Sequence, residues 1–212
     1  MMSEAQGLLA VWVDIPPALE ADFNDWYDRE HLAERAGIPG FRTARRYVAE
    51  AAEPKYFALY ETDSIGVFSS PEYRRYLDPL MTASSKRIMG AFVNNHRRCC
   101  SFVARAGGGI GAAATSLRFR ATDALEAKLE GGALSAALRP GGAIAAKVWR
   151  SDLAATFPEG PPRDAIAELV AVVEGISPGA AAAGAEALLA AIEGAGQPHH
   201  RGLYRFLHAL PS

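Results

Sequence analysis

The chain reads as an α+β protein built of two successive βαββαβ units, each a four-stranded antiparallel sheet with both helices on one face. Three observations predict this. Short β-rich runs bounded by Gly and Pro alternate with amphipathic stretches of helical period. The same order of elements returns in the second half. A Gly-rich segment at 106–111 (AGGGIG) divides the 212 residues into halves of about one small domain each, 1–106 and 107–212.

In the first half, residues 7–15 (GLLAVWVDI) form a strand that Pro16-Pro17 stops. An amphipathic run over 18–36 is the first helix, ended by Gly37, Pro39 and Gly40. Strands follow at 41–49 (FRTARRYVA) and 56–62 (YFALYET), separated by a turn at Glu53-Pro54. Ser70-Pro71-Glu72 has the chemistry of a helix start, and Tyr73, Leu77, Leu80 and Met81 supply the apolar stripe of that helix. Residues 96–105 (HRRCCSFVAR) are the fourth strand.

In the second half, 113–120 (AATSLRFR) is a strand, and Thr122-Asp123 caps a helix running to about Leu138, where Pro140-Gly141-Gly142 breaks it. Residues 144–150 (IAAKVWR) are a strand and 159–162 (EGPP) a turn. Periodicity leaves 167–175 (AELVAVVEG) open between helix and strand; its Val content and the Ser177-Pro178-Gly179 stop favour a strand. A helix over 180–192 and a strand over 203–210 (LYRFLHAL) close the unit.

Composition narrows the function classes. Half of the residues are hydrophobic and the formal net charge is −2, so neither nucleic acid nor an anionic membrane is expected as a partner. No signal peptide and no apolar run of membrane-spanning length is apparent. The two cysteines, Cys99 and Cys100, are adjacent on a strand and point to opposite faces, which rules against a disulfide or a metal clamp between them. A reducing cytoplasm fits that pattern.

A sheet with helices on one face leaves its other face to be buried. Two such units in one chain can pack their sheets together and close a barrel. Both faces of the strands are substantially apolar, in agreement with sheets buried on both sides. Trp12 is the residue better placed than Trp26 or Phe23 to line such a barrel, although a core position is the favoured reading for it.

The densest chemistry lies in 22–41, DFNDWYDREHLAERAGIPGF. At 3.6 residues per turn Phe23, Tyr27 and His31 fall four apart on one face, with Asp28 three before His31. This sets an imidazole, a phenol and a carboxylate beside an apolar wall. An imidazole exchanges a proton near neutral pH. Asp28 could hold one ring nitrogen, and Tyr27, Tyr56 or Tyr60 could donate to a carbonyl oxygen as an enolate develops. The expected catalytic set is therefore His31, Asp28 and Tyr27, with Trp12, Trp26, Tyr56 and Tyr60 as substrate-binding residues. The plainer alternative is a helix-end histidine that caps carbonyls or bonds Asp28, with Phe23 and Trp26 as ordinary core.

Other polar clusters carry less. Arg42, Arg45 and Arg46 alternate faces of a strand; a solvated edge explains most of them, though one could hold an acidic substrate. His96-Arg97-Arg98 lacks metal-ligand spacing, and the adjacent His199-His200 would need further ligands to make a site. The GGGIG run lacks the spacing of a nucleotide-binding loop, and no nucleophile elbow is present.

The segments NDWYDREHLAERAGIPGFRTARRYV, PKYFALYETDS and SSPEYRRYL resemble the EthD-like branch of the dimeric α/β-barrel superfamily, over about residues 7–92. The resemblance implies ferredoxin-like βαββαβ units whose sheets pair into a barrel, normally between two subunits. This chain looks like a fused version in which the second half stands in for the second subunit. That half has no counterpart of Trp26-Tyr27-x-x-Glu30-His31, so one complete site per chain is expected. Activities in the superfamily range over cofactor-independent monooxygenases, cyclases, decarboxylases, isomerases, dye peroxidases and haem-degrading enzymes, mostly on small aromatic or apolar molecules. The resemblance thus implies a small apolar or aromatic carbonyl compound as ligand, with acid/base chemistry at His31 and no cofactor. The alternatives are a non-catalytic carrier or sensor, haem bound through His31, or a barrel without a working pocket. Pairing into a homodimer stays open, because fusion removes the need for it.

Overall fold

The computed structural model describes residues 6–77 and 80–211. The first half contains β1 (Gly7–Asp14), α1 (Glu20–Trp26), α2 (Leu32–Ala36), β2 (Phe41–Ala51), β3 (Tyr56–Thr62), α3 (Pro71–Arg75), α4 (Ala83–Gly90) and β4 (Val93–Gly107). The second contains β5 (Ala113–Arg120), α5 (Asp123–Glu130), β6 (Ala143–Ser151), α6 (Leu153–Thr156), β7 (Glu168–Gly175), α7 (Pro178–Ala191) and β8 (His200–Pro211). The eight antiparallel strands close a barrel in the order β1-β3-β2-β8-β5-β7-β6-β4. Each half contributes four contiguous strands in equivalent order, fourth-first-third-second. The two seams are also equivalent: β2 pairs β8, from Thr43 opposite Pro211, and β4 pairs β6, from Cys100 opposite Ser151.

Strand alternation sorts the side chains. Leu8, Ala10 and Trp12 of β1 turn into the barrel with Tyr47, Phe57, Leu59, Trp149, Val170, Val172 and Tyr204. Leu9, Val13, Ala44, Tyr56, Ala58, Tyr60 and Cys99 turn outward, under the first-half helices. Cys100 joins the inner cluster and Cys99 the outer one, and both are free thiols. The barrel is thus filled by side chains rather than open.

Charges are buried inside it as well. Arg45 of β2 reaches Glu61 and Glu174, both at 3.0 Å, and Lys147 of β6 reaches Glu61 at 2.7 Å. Arg45 faces Leu59 across its strand pair and Lys147 faces Val172, so the two cations occupy equivalent positions in the two halves. Elsewhere in the barrel Arg118 and Arg98 share Glu168, at 2.7 and 2.6 Å. The expected solvated edge at Arg45 and Arg46 is therefore corrected. Both residues are 2% exposed, because β8 covers the strand that would have been an edge in an open sheet.

Several helices differ from expectation. The stripe drawn through Tyr73, Leu77, Leu80 and Met81 does not run as one helix: α3 ends at Arg75, and Leu77 and Leu80 are exposed. Residues 78 and 79, on which that expectation also fell, lie outside the described residues. A further helix, α4, begins after Thr82, whose side chain accepts from the Ser85 amide. The helix drawn from 123 to 138 stops at Glu130, since Gly132 has φ +104° and leads into a 3₁₀ segment, Ala133–Leu138. The α6 turn, capped by Asp152, was not foreseen. The segment at 167–175 is strand β7.

Candidate active site

Between α1 and α2 the helical run does not break; it widens. Tyr27–His31 form a π-helical segment, the i→i+5 pattern that inserts a residue into the turn. This changes which side chains meet. His31 stacks on Trp26, five residues earlier, with centroids 4.3 Å apart, and meets Tyr27 edge-on at 5.0 Å. Asp28 does not reach His31. It accepts instead from Arg46 Nη1 at 2.7 Å, on the far side of the helix. Arg46 also bonds the side-chain and main-chain oxygens of Asn24 and lies over the Tyr27 ring at 4.6 Å. Asp28 is thus the counter-ion that docks the helix on β2, and its expected role in orienting His31 is corrected.

Glu30, also of the motif, accepts from the hydroxyls of Thr82 and Ser85, and Ser85 in turn accepts from Trp26 Nε1 at 3.0 Å. These bonds tie α4 to α1. Trp26 is 5% exposed and forms the wall behind the imidazole.

The cavity in front of it lies between the outer face of the first-half sheet and the helices. It measures about 140 Å³ and is lined by Leu9, Val11, Tyr27, His31, Arg35, Tyr60, Tyr73, Leu77, Met89, Phe92, Asn95 and Arg97. A dry cavity of about 150 Å³ accepts benzene, so the space suits one ring. Tyr73, Leu77 and Arg97 also line an adjoining groove of about 570 Å³, whose far wall includes Asp152, Ala154, Ala155 and Pro158 of the second half.

Electrostatics in the cavity favour neutral groups. Burial, reinforced by the positive charges of Arg35 and Arg46, holds the His31 pKa well below 6.5, so the imidazole is neutral at pH 7. Its Nδ1 is buried without a hydrogen-bond partner; the Glu34 carboxylate lies 3.9 Å away, beyond hydrogen-bond range. The Tyr27 and Tyr60 hydroxyls bond each other at 2.7 Å. Burial raises both phenol pKa values, that of Tyr60 strongly, so both stay protonated. Two hydroxyls sharing one hydrogen bond leave one hydroxyl hydrogen free to donate.

Of the residues expected from sequence, His31, Tyr27 and Tyr60 converge on this cavity, with Trp26 behind them. Trp12 does not join them: it turns into the barrel, where it stacks on Phe57 at 5.1 Å and donates to Ser116 Oγ. Tyr56 faces the helix side but donates to Glu20 and accepts from Asn24, outside the cavity lining. His199 and His200 sit near the Glu168 network, with burial pushing the His200 pKa down to about 4. Among the described residues no group of three or more His, Cys, Asp or Glu is arranged to hold a metal ion. Sequence reading missed Arg35, Tyr73, Asn95 and Arg97. Arg35 follows the motif by four residues, one helical turn, which was a usable signal; the others reach the cavity through tertiary packing alone.

No protein-family model and no curated protein matches the sequence. Solved structures do resemble it in shape. An anthrone oxidase-like protein matches with a TM-score of 0.62 at 11% identity, covering 99% of this chain and 94% of that one. A candidate monooxygenase from Lactobacillus acidophilus NCFM matches with a TM-score of 0.61 at 6% identity, covering 98% and 97%. A mutant chlorite dismutase from Candidatus Nitrospira defluvii matches with a TM-score of 0.59 at 9% identity, covering 97% and 93%. A haem-binding protein from Thermus thermophilus matches with a TM-score of 0.56 at 9% identity, covering 97% and 92%. Identities this low speak to architecture alone, and at that level the chain shares an α+β fold with these proteins, here an eight-stranded antiparallel barrel closed within one polypeptide.

Proposed function

We propose that this protein is a cofactor-independent enzyme of EthD-like type that moves a proton next to the carbonyl of a small, single-ring compound, with His31 as general base. The observation that carries the reading is a neutral, buried imidazole facing a ring-sized cavity beside a protonated Tyr27–Tyr60 hydroxyl pair. In the proposed step the imidazole takes a proton from the carbon next to the carbonyl. The C–H electron pair becomes a C=C bond, and the carbonyl π pair moves to oxygen. The free hydroxyl hydrogen of the tyrosine pair donates to the enolate oxygen so formed. Return of the proton to the same carbon gives exchange, and to a conjugated carbon gives isomerisation.

Two structural neighbours bear names that concern haem or chlorite dismutation, and haem at His31 is the competing reading. The residues present do not suit it. Cofactor clefts run to about 300–1,000 Å³; the space at His31 is about 140 Å³, and His31 is not among the residues lining the larger adjoining groove. A Soret band in the purified protein would contradict this assessment.

The test is hydrogen–deuterium exchange in D₂O on a panel of single-ring ketones with an acidic α C–H, followed by NMR. His31→Gln is expected to slow enzyme-dependent exchange by about 10²–10⁴-fold. A fully active variant removes His31 from the chemistry. Ligand binding without any exchange in the wild type would leave a carrier or sensor. The barrel closes within one chain, so a homodimer is not required for this site.

A further inference from the structure

Several buried or half-buried arginines of this protein have a carboxylate partner, among them Arg45 with Glu61 and Glu174, Arg46 with Asp28, and Arg98 and Arg118 with Glu168. Arg35 and Arg97 make no carboxylate contact within 4 Å among the described residues, Glu34 acting on Arg35 only at longer range, and both line the His31 cavity. Arg35 is 4% exposed, and its Nη1 is buried without a hydrogen-bond partner. Its guanidinium lies over the Tyr73 ring at 5.6 Å. Arg97, from the opposite wall, donates to the Tyr73 hydroxyl at 3.2 Å and to the Thr156 carbonyl at 2.9 Å. The two cations thus meet across the Tyr73 side chain, and no Asp or Glu is among the described residues lining the cavity.

A buried guanidinium without a hydrogen-bonded counter-ion is costly. Arg45, Arg46, Arg98 and Arg118 each have one. Arginine is also the side chain best matched to a carboxylate, which it can hold by two parallel hydrogen bonds. We propose that the cavity is built for an anionic ligand: a single-ring compound bearing a carboxylate that sits against Arg35 and Arg97, with its ring on Leu9, Val11, Met89 and Phe92. This rests on the reading of the cavity as the ligand site and gives that site its substrate class. The carbonyl compound acted on at His31 is then a ring carboxylate, and the arginines fix which end enters first.

The test compares benzoate with benzamide, which has the same shape and no charge, by calorimetry and thermal shift on the wild type, Arg35→Gln, Arg35→Lys and His31→Gln. The wild type is expected to bind benzoate at least tenfold more tightly than benzamide. Arg35→Gln is expected to lose that preference, Arg35→Lys to keep part of it, and His31→Gln to keep all of it. Equal binding of the two probes, or no binding of either, overturns the anionic ligand class. So does a preference that survives in Arg35→Gln while circular dichroism shows the variant folded. Since His31→Gln separates binding from proton exchange, loss of exchange alone leaves this inference standing. Loss of the charge preference alone likewise leaves His31 as base.

Discussion

Beneath α7 the second-half sheet presents Leu117, Phe119, Ala146, Val148, Leu169, Ala171 and Val173 to Leu188 and Ile192, all closely packed. Beneath α1 and α2 the equivalent face of the first-half sheet, which carries Tyr60, meets His31, Tyr27 and Arg35 around a cavity. The buried charges of the second half, Arg118, Glu168 and Glu174, all sit at barrel-facing positions. One architecture therefore holds a packed core in one half and a polar pocket in the other. The helix sequences account for the difference. The α7 sequence PGAAAAGAEALLAA has side chains small enough for the backbone to approach the sheet. A Cβ on Gly184 would lie 2.8 Å from both the Ala137 carbonyl oxygen and Val173 Cγ1. Across the first half, Phe23, Trp26 and Tyr27 hold the helix off the sheet, and the π-helical segment turns the next side chain, His31, into the space created.

The contrast can be broken at several points. The largest effect is expected inside the barrel, where the halves meet. Arg45→Met strands Glu174, leaving Glu61 to Lys147 alone, and should cost about 3–5 kcal/mol in chemical denaturation. Lys147→Met, at the equivalent position, leaves Arg45 to serve Glu61 and should cost clearly less. Equal losses would mean that the two cations share the load evenly.

Next come the two helix-covered faces. Leu188→Ala opens a void in a packed core and should cost about 2–5 kcal/mol. Leu9→Ala enlarges a cavity already present and is expected to fall below Leu188→Ala in the same assay. The reverse order would mean that the first-half face is as tightly packed as the second. Gly184→Ala forces α7 off the sheet and should cost about 1–3 kcal/mol; a neutral result would show slack in that packing.

Acid sensitivity is the subtler difference. His31 is neutral when folded and has a pKa near 6.5 when unfolded. Below pH 6.5 the unfolded state binds the proton first, so stability falls as pH drops from 6.5 toward the depressed folded pKa. His96, His199 and His200 are shifted the same way and contribute their own share. The melting temperature should therefore decline below pH 6.5, and His31→Gln should flatten part of that decline. An unchanged slope would indicate that His31 is solvated. The smallest change is Tyr60→Phe, which leaves the Tyr27 hydroxyl without its partner and should cost about 1 kcal/mol.

Much of the fold was legible in the sequence because alternation and helical period are local signals, and Gly and Pro punctuate them well. The misplaced helices fall where one strong cue outweighed a weaker one, as when an apolar stripe carried the second helix past Arg75 and through Pro79. Barrel closure explains the buried Arg45 and Arg46, and strand pairing between residues more than 150 apart cannot be read from alternation. The site was half legible. The Trp26–His31 motif marked the right helix, but a 3.6-residue period assigned Asp28 to His31, whereas the π-helical register gives His31 to Trp26. Arg97 stands 66 positions beyond His31 and arrives on β4. Trp12 turns into the barrel, but as part of a filled core, and the cavity lies on the other face of that sheet.

Everything proposed for the site depends on His31 being a neutral, unsolvated imidazole that faces a ligand cavity. The most direct measurement is a pH titration of its ring nitrogens by ¹⁵N NMR, assigned with His31→Gln. The expected result is the shifts of a single neutral tautomer from pH 8 to below 6, displaced when a ring-sized ligand is added. Titration near pH 6.5 with no response to ligand would contradict it and leave His31 as a structural residue on a well-formed barrel.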